Sequence, residues 1–438
     1  MYRQFIEHIV LPLGDKVSGS TVMKQLKQWR TIGNQSEQSI QQLSEDKLQQ
    51  LLTEVVQNVP YYHQYQNKDG LSPIAWLKTF PIMTKQEINA HIQTLTSKPL
   101  DQLIKKESSG SSGIHATTYM DRASLDTIRA IQMLWWEWAG WKIGQPILQT
   151  GMGKDRGRLK KVKDLVLRTN YTLAFGLSKN EVLDILTNNQ QRKNTFLAGY
   201  ASSLYVLAKT ANESNINTIH FDAAVSWGDK LFPHYKEEIE RAFHCKIKDT
   251  YGCSEGIMIA AQKDLDYYYI MTPHVHLELL DEHGNEVPDG ELGRVVVTRL
   301  DTIGMPFVRY YTGDLAVKLP KDKYPKKRAL NFPLLERVIG RDTDIVKTQK
   351  GGQMIVHFFT AIFQLEPSFQ QFKIIQRDLT GIEVEYIPSA IFDPAAMARI
   401  ETRIFEELKE TISIKWKAVN DIPPTKSGKP QIIESLIK

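Results

Sequence analysis

The chain contains very few cysteines and no long apolar stretch. Its 438 residues include only two cysteines, Cys245 and Cys253, whose spacing fits no zinc module. Two cysteines cannot build a disulfide framework, which suits a reducing compartment. No uninterrupted apolar stretch reaches the roughly 20 residues of a membrane-spanning helix. These absences predict a cytoplasmic protein without a transmembrane segment.

The N-terminus also lacks a secretory signal. The apolar stretch from residue 5 to residue 13 is interrupted by Glu7 and His8, so it does not form the continuous core of a signal peptide. This first segment could instead lie against a membrane surface or a partner helix.

A strong charge excess is absent as well. The 55 lysines and arginines against 50 aspartates and glutamates give a net charge of +5. This excess is too small and too dispersed to indicate nucleic-acid binding. The hydrophobic fraction of 42% and the charged fraction of 24% are typical of a globular protein. The length favours two or more domains.

Helix and strand patterns alternate along the chain, which favours an α/β fold. Apolar residues at helical spacing predict helices over 44–59, 125–138 and 232–243, and a short strand centred on Ile247 follows the last of them. The final hundred residues contain two strand-like segments, 372–375 and 382–387, and a helix from about 394 to 412. They predict a separate small α+β unit.

A further strand is predicted from alternation of apolar and polar side chains between His274 and Leu279. His274 and His276 would share its polar, half-exposed face. Two such histidines could bind a metal, but no third ligand is placed by the spacing, so surface histidines are the simpler interpretation.

The first candidate motif is a loop rich in serine and glycine. It reads Ser108-Ser109-Gly110-Ser111-Ser112-Gly113. Glycine lets the backbone approach closely, and N–H groups and hydroxyls can bind phosphate oxygens. The Gly-Lys-Ser/Thr ending of a Walker loop is missing, so a P-loop kinase or GTPase is not predicted. Taken alone, such a loop is most often only a flexible connection.

Four further motifs follow in order. They are Ser226-Trp227-Gly228-Asp229, Tyr251-Gly252-Cys253-Ser254-Glu255, Arg309-Tyr310-Tyr311-Thr312-Gly313-Asp314 and Gly340-Arg341-Asp342. A last one, Pro423-Pro424-Thr425-Lys426-Ser427-Gly428-Lys429, lies near the C-terminus. Each alone has an ordinary alternative: a helix N-cap at Asp229, glycine-containing turns in the next three, and a lysine-rich tail.

Together, in this order and over this length, the motifs resemble those of the adenylate-forming enzymes, most closely their phenylacetate–CoA ligase/CapK-like branch. The resemblance covers about 48–438 and is strongest over 225–344. It implies activation of a small carboxylic acid by ATP and Mg²⁺ as an acyl-adenylate. The acyl group would then pass to an acceptor, either CoA or an acyl-carrier protein. No nucleic-acid partner is implied.

The resemblance also implies a role for each motif residue. Ser108, Ser109, Gly110, Ser111, Ser112 and Gly113 would hold phosphate, Gly228 and Asp229 would contact adenine, and Tyr251 and Gly252 would line the base. Ser254 would donate to the α-phosphate, Glu255 would bind Mg²⁺, Asp314 would accept from the ribose hydroxyls, Arg341 would approach ribose or phosphate, and Lys429 would be the catalytic lysine. A carboxylate suits Mg²⁺, and a lysine can stabilise charge that develops in the transition state.

The fold implied is an α/β adenylate-forming enzyme. A large N-terminal domain of mixed β-sheets flanked by helices would span 1–340, and a small mobile α+β domain would span 341–438. Asp342 would be the pivot between them. The acyl pocket would be lined by segments near 135–141, 200–205, 226–227 and 252–257, whose aromatic residues indicate an aryl or other bulky apolar acid.

One departure keeps alternatives open. Ile114 and His115 stand where the family's phosphate loop usually has Lys and Pro. A non-catalytic nucleotide-binding homologue is therefore one alternative, although Glu255, Asp314 and Lys429 are retained. The other alternative is a ligase with an amine or hydroxyl acceptor in polysaccharide, cofactor or natural-product biosynthesis.

Overall fold

The structure is a computed structural model that describes residues 2–67, 69–107, 117–151, 157–174, 177–341, 345–350, 353–355, 359, 362–363, 366–408, 410–423 and 431–437. The predicted phosphate loop, Asp342 and Lys429 lie outside these residues. No helix in the described ranges is both long and apolar enough to cross a membrane.

Twelve α-helices lie in the described parts of the chain. They are α1 (Tyr2–Phe5), α2 (Leu11–Ser18), α3 (Val22–Ile32), α4 (Glu37–Asn58), α5 (Pro73–Leu77), α6 (Lys85–Ala90), α7 (Arg122–Ala139), α8 (Gly157–Val166), α9 (Lys179–Arg192), α10 (Ala201–Glu213), α11 (Pro233–Phe243) and α12 (Ala395–Leu408). A π-helical turn, Ile6–Val10, joins α1 to α2. Three short 3₁₀ turns occupy Pro60–Tyr62, Leu100–Gln102 and Lys321–Lys323.

Nineteen strands accompany the helices in those same ranges. They are β1 (Ile104–Glu107), β2 (Thr117–Met120), β3 (Ile147–Gly151), β4 (Thr169–Leu173), β5 (Phe196–Tyr200), β6 (Ala223–Trp227), β7 (Ile247–Cys253), β8 (Ile257–Gln262), β9 (Tyr268–Ile270), β10 (Val275–Leu280), β11 (Leu292–Arg299), β12 (Tyr310–Lys318), β13 (Leu334–Arg341), β14 (Ile345–Lys347), β15 (Gln353–Ile355), β16 (Phe369–Asp378), β17 (Gly381–Pro388), β18 (Ser413–Ala418) and β19 (Ile433–Ser435).

One large sheet organises the N-terminal part. Its strand order is β10-β11-β12-β13-β9-β8-β7-β6-β5-β3-β4. The strands from β4 to β7 pair in parallel, whereas β7 pairs antiparallel with β8 and the strands beyond it are antiparallel. The strand β7 is therefore the seam between a parallel half and an antiparallel half. Parallel strands require crossover helices, and α8, α9, α10 and α11 lie between the successive strands of this half.

Local sequence explains where the long helices begin and end. The Ser36 side chain accepts a hydrogen bond from the Ser39 N–H and so caps α4. The Asp121 carboxylate caps α7 in the same way, and Gly140 ends that helix with a φ of 112°. The predicted helix over 44–59 is thus real but starts earlier, because its cap lies at Ser36.

The C-terminal part is a smaller α+β unit. Four strands in the order β18-β17-β16-β19 carry α12 against one face. Its core includes Ile374, Val384, Ile400 and Ile404, all essentially inaccessible to solvent. The predicted fold class is confirmed: a large mixed sheet flanked by helices is followed by a small α+β unit. The domain boundary at 340/341 and the mobility of the small unit remain predictions.

The predicted strand is present as β10, but the prediction that His274 and His276 lie on a half-exposed surface is wrong. His274 is fully buried, its Nδ1 donates to Asp301, and its Nε2 accepts from the Met258 N–H at 3.2 Å. Burial lowers the pKa of the His274 imidazole. His276 is half-buried, and Glu278 is buried in an ion pair with Arg309 at 2.9 Å. Both faces of β10 are covered, so polar residues here satisfy one another rather than face water.

Candidate active site

The Tyr251–Glu255 motif lies at the C-terminal end of the seam strand β7. Tyr251, Gly252 and Cys253 are the last residues of that strand, and Ser254 and Glu255 begin the turn into β8. The ladder slips between Tyr251 and Gly252. A point where a sheet changes pairing leaves a crevice beyond the strand ends, which is where α/β sheets bind ligands. The motif therefore occupies the position that the fold makes available for a site.

Tyr251 is joined to Asp314. The phenol donates a hydrogen bond to the Asp314 carboxylate at 2.9 Å, and the Tyr251 ring is only 8% exposed. Burial, followed by the charge of Asp314, raises the pKa of Tyr251 well above its usual value, so the hydroxyl stays a donor. The Asp314 N–H donates to the Thr312 hydroxyl at 3.2 Å. Two of the sequence motifs thus meet, and the Tyr251 hydroxyl orients the Asp314 carboxylate.

Glu255 lies in a buried polar cluster. Its carboxylate is 3.2 Å from the Lys85 ammonium and accepts a hydrogen bond from the Tyr310 hydroxyl at 3.1 Å. The Ser254 hydroxyl donates to its other oxygen at 3.2 Å. Burial would raise the pKa of the Glu255 carboxyl, but the Lys85 charge and local hydrogen bonds together hold that pKa below its usual value. Glu255 is therefore ionised at neutral pH.

Lys85 was not found by sequence reasoning. A capping box between Thr84 and Glu87 fixes the start of α6, whose first residue is Lys85. The Met83 N–H donates to the Arg309 carbonyl, and the Tyr311 N–H donates to the Met83 carbonyl, both at 2.9 Å. The capping signature was visible in the sequence. The backbone pairing that brings Lys85 close to Glu255 joins distant parts of the chain, and the sequence pattern did not show it.

Asp229 caps a helix other than the one that follows it. Its carboxylate accepts from the Ser202 N–H at 3.2 Å and from the Ser202 hydroxyl, and so caps α10. The following helix, α11, begins instead after Phe232 without a side-chain cap. Gly228 has a φ of 81°, and a Cβ there would lie 2.5 Å from the Tyr200 ring. The predicted adenine segment therefore packs on the start of α10 through Tyr200 and Ser202.

Aromatic side chains gather next to this segment. Trp136 stacks on Trp227 with ring centroids 5.7 Å apart, and Tyr200 meets Trp227 edge-on at 6.4 Å. These three rings are half-buried, whereas Trp135 and Trp141 are buried in the core. The half-buried rings therefore leave aromatic surface at the end of β6, whose last residue is Trp227.

The remaining predicted residues are only partly described. Ser108, Ser109, Gly110, Ser111, Ser112, Gly113 and Lys429 lie outside the described residues. The backbone of Arg341 pairs with that of Asp314 at the end of β13, which brings the predicted hinge beside the Tyr251–Asp314 contact. The Lys230 ammonium donates to the Ile339 carbonyl and ties the Gly228 segment to the same strand.

The described residues fit a magnesium–nucleotide site but not a metal site made of protein alone. No group of three or more His, Cys, Asp or Glu side chains able to hold a metal occurs among them. Mg²⁺ in nucleotide sites usually takes one or two carboxylates and completes its coordination with phosphate and water oxygens. Glu255 could supply such a carboxylate, since its oxygens already attract one cation, the Lys85 ammonium.

Comparison with known proteins agrees with this geometry. A family model described as the CapK C-terminal domain matches residues 346–435. Protein CapK of Staphylococcus aureus is 23% identical over 413 residues, which cover 91% of this chain and 89% of the relative. Phenylacetate-coenzyme A ligase of Escherichia coli K12 is 22% identical over 335 residues, which cover 72% of this chain and 74% of the relative.

The fold is also that of a solved ligase. A structure of 2-hydroxyisobutyryl-CoA ligase in the postadenylation state, in complex with R3-HIB-AMP, superposes with a TM-score of 0.74. The identity is 17%, and the match covers 93% of this chain and 91% of that one. The ordered motifs, the meeting of Tyr251 with Asp314 and these matches lead to one assignment. The chain has the fold of adenylate-forming ligases, and its sequence is similar to CapK and to the phenylacetate-coenzyme A ligases over most of its length.

Proposed function

We propose that this protein activates a carboxylic acid with ATP as an acyl-adenylate and passes the acyl group to a thiol, with CoA as the first candidate. The observation that carries the proposal is the convergence of Glu255, Asp314 and Lys85 at the end of the seam strand. Two carboxylates and a cation from distant segments of the chain form a polar site suited to a magnesium nucleotide.

The first half-reaction needs positioning and charge neutralisation more than covalent chemistry. A carboxylate oxygen of the acid attacks the α-phosphorus of ATP, and the bond from that phosphorus to the bridging oxygen breaks to release pyrophosphate. Glu255 would hold Mg²⁺, which supplies charge neutralisation to the phosphates. Asp314, oriented by Tyr251, would accept from the ribose hydroxyls. Ser254 and Lys429 would contact the α-phosphate.

Lys85 gives the site a cation that the phosphate loop lacks. The loop has Ile114 where lysine is usual. The Lys85 ammonium lies 3.2 Å from Glu255 and its side chain is 12% exposed. When Mg²⁺ binds Glu255, this ammonium would be available to phosphate oxygens. Lys85 therefore favours catalysis over the alternative of a non-catalytic nucleotide-binding homologue.

In the second half-reaction the thiolate of the acceptor attacks the acyl carbon. The bond from that carbon to the phosphate oxygen breaks, and AMP leaves. The name of the Escherichia coli relative supports CoA as the acceptor. The C-terminal unit would rotate about Asp342 between the two steps. A carrier-protein thiol, an amine or a hydroxyl are the alternative acceptors.

The aromatic cluster indicates the class of acid. Trp136, Trp227 and Tyr200 present half-buried rings beside the proposed nucleotide segment. Aromatic walls suit a flat or bulky apolar group. We therefore propose an aryl or bulky aliphatic acid, which agrees with the phenylacetate named for the relative.

Pyrophosphate exchange tests the proposal. Labelled pyrophosphate should enter ATP only when Mg²⁺ and a suitable acid are present, first with aryl acids and then with aliphatic and hydroxy acids. Once an acid is identified, CoA, amines and hydroxyl compounds can be compared as acceptors by AMP release. Binding of ATP without exchange for any acid in a broad panel would favour the non-catalytic alternative.

A further inference from the structure

The N-terminal helix, residues 2–18, carries an apolar stripe on its outer side. Phe5, Ile9, Leu13 and Val17 recur every fourth residue and are 49%, 47%, 55% and 88% exposed. Residues four apart lie on one face of a helix. At a rise of about 1.5 Å per residue, the stripe is roughly 18 Å long.

The inner side of this helix packs against the rest of the protein, so the position of the stripe is fixed by contacts. Ile6 is 2% exposed and packs in the core with Leu26 and Trp29. Glu7 pairs with Arg30 at 2.8 Å, and the Asp15 carboxylate accepts from the Met23 N–H at 2.7 Å. Both acidic side chains of the helix are therefore engaged on the inner side, and the outer side keeps apolar groups together with exposed Arg3 and Lys16.

A second exposed apolar surface adjoins the first. On α8, Val162 and Leu165 are 60% and 79% exposed. The Tyr2 hydroxyl donates to the Val166 carbonyl at 2.7 Å, and the Arg168 guanidinium lies 5.6 Å from the Tyr2 ring. The end of α8 thus meets the start of the N-terminal helix. Seven large apolar side chains at or above about a third exposed lie on these two helices: Tyr2, Phe5, Ile9, Leu13, Val17, Val162 and Leu165.

The helix α8 is also basic. Its sequence holds Arg158, Lys160, Lys161 and Lys163 against a single acid, Asp164. The chain as a whole is only +5, and the described basic side chains Arg3, Lys16 and Arg168 are exposed on or directly next to these two helices. Apolar side chains flanked by lysine and arginine are the combination that binds the interface of an anionic bilayer.

We propose that the N-terminal helix and α8 form a surface that docks the protein onto anionic phospholipid membranes. The stripe would enter the headgroup region, and the exposed side chains of Arg3, Lys16 and Arg168 would contact lipid phosphates. A second copy of the chain fits less well. In a two-fold symmetric dimer the same surface lies on both sides of the interface, so basic side chains would meet basic side chains. The proposal is independent of the proposed ligase activity.

Vesicle binding by the full-length chain tests the proposal. Vesicles of phosphatidylcholine with about a third phosphatidylglycerol should bind the wild type at least tenfold more tightly than pure phosphatidylcholine vesicles, and 0.5 M salt should remove most of that preference. The triple variant R3Q/K16Q/R168Q should lose on the order of a hundredfold in affinity, since each basic residue near an anionic surface contributes roughly fivefold. The double variant I9S/L13S should lose at least tenfold.

Matched controls distinguish binding by this surface from nonspecific electrostatic and apolar binding elsewhere on the protein. K321Q/K323Q/K326Q removes three exposed lysines from the segment after β12, and I391S removes an exposed apolar side chain in the C-terminal unit. Both should bind vesicles within twofold of the wild type. If I9S/L13S fails to fold, the triple variant R3Q/K16Q/R168Q still decides, because all three of its side chains are exposed. Equal binding to both vesicle types, no binding, or equal loss in the controls would overturn the proposal. The proposal would also be overturned if the wild type self-associates in the ultracentrifuge, I9S/L13S abolishes that association, and neither protein binds vesicles.

Discussion

The Lys85 ammonium lies 3.2 Å from the Glu255 carboxylate in a place where both side chains are largely withdrawn from water. The two residues come from distant parts of the sequence and are joined through the backbone pairing of Met83 with Arg309 and Tyr311. A buried carboxylate without such a partner would be costly to ionise. The ion pair keeps the Glu255 carboxylate ionised, which is the form that binds a metal cation.

The first prediction is that Lys85→Met shifts the pH dependence of the proposed adenylation. Without the ammonium, burial is the largest remaining influence and raises the Glu255 pKa. The acid side of the rate–pH profile, which requires ionised Glu255, should move to higher pH, and the rate at pH 7 should fall about tenfold to a hundredfold. Rates of pyrophosphate exchange between pH 5 and 9 measure both effects.

The same variant has a stability signature. In the wild type, the lowered Glu255 pKa contributes stability above the unfolded value and loses it as pH falls through the folded value. In Lys85→Met the folded pKa would be raised, so stability should instead decline as pH rises above about 4.3, the ordinary pKa of glutamate. Lys78→Met is the control, because Lys78 forms a similar pair with Glu286 at 3.3 Å but both side chains are about half exposed. Melting curves that move alike in the two variants would contradict the account.

The second prediction concerns Tyr251 and Asp314. Asp314→Ala should weaken ATP binding and also reduce discrimination against 2′-deoxy-ATP, because the carboxylate would read the ribose hydroxyls. Tyr251→Phe keeps the ring and removes the hydrogen bond of 2.9 Å. It should cost about 1–2 kcal/mol in stability or ATP binding, with discrimination largely retained. Calorimetric titration with the two nucleotides gives the ratio, and a ratio unchanged in Asp314→Ala would place this aspartate elsewhere.

The third prediction concerns Lys429. Lys429→Ala should nearly abolish acyl-adenylate formation, by about 3 kcal/mol or more of transition-state stabilisation. ATP binding and folding should remain, and thioester formation from supplied acyl-adenylate should be spared. Lys417→Ala is a control, since Lys417 pairs with Glu385 on the surface of the same unit. Wild-type exchange in Lys429→Ala would remove this lysine from the mechanism.

The fourth prediction concerns the hinge. Asp342→Pro fixes one backbone torsion and removes an N–H directly after the last paired residue of β13, Arg341. If the C-terminal unit alternates between two arrangements, acyl-adenylate should form in a single turnover at a near-normal rate while acyl transfer fails. Rapid-quench measurement of the two half-reactions distinguishes these effects. Equal loss of both would indicate misfolding, and equal retention would place the pivot elsewhere.

The fold class was predictable because its signals are local. Capping residues, apolar spacing and the strand around Ile247 each act within a few neighbours, and β7 does carry the Tyr251 motif. The meeting of Tyr251 with Asp314 was not visible in spacing, since it depends on strand order across the sheet. Lys85 was missed for the same reason, as its position depends on one bridge between distant segments.

Buried polar residues were the main source of error. His274 alternates with apolar residues as a surface histidine would, yet Asp301 and the Met258 N–H satisfy it in the interior. Asp229 resembles the cap of the helix after it but caps α10 instead. A pattern of polar and apolar letters records which side chains need partners and does not show whether water or protein provides them.

Transfer of oxygen from the acid to AMP tests the central claim most directly. The acid identified by exchange would be prepared with ¹⁸O in both carboxyl oxygens and turned over with ATP, Mg²⁺ and the acceptor. If the carboxylate attacks the α-phosphorus and the acceptor then attacks the acyl carbon, mass spectrometry should find one ¹⁸O in each AMP. Release of ADP with the label in inorganic phosphate would show an acyl-phosphate route and contradict the account, and so would AMP without label.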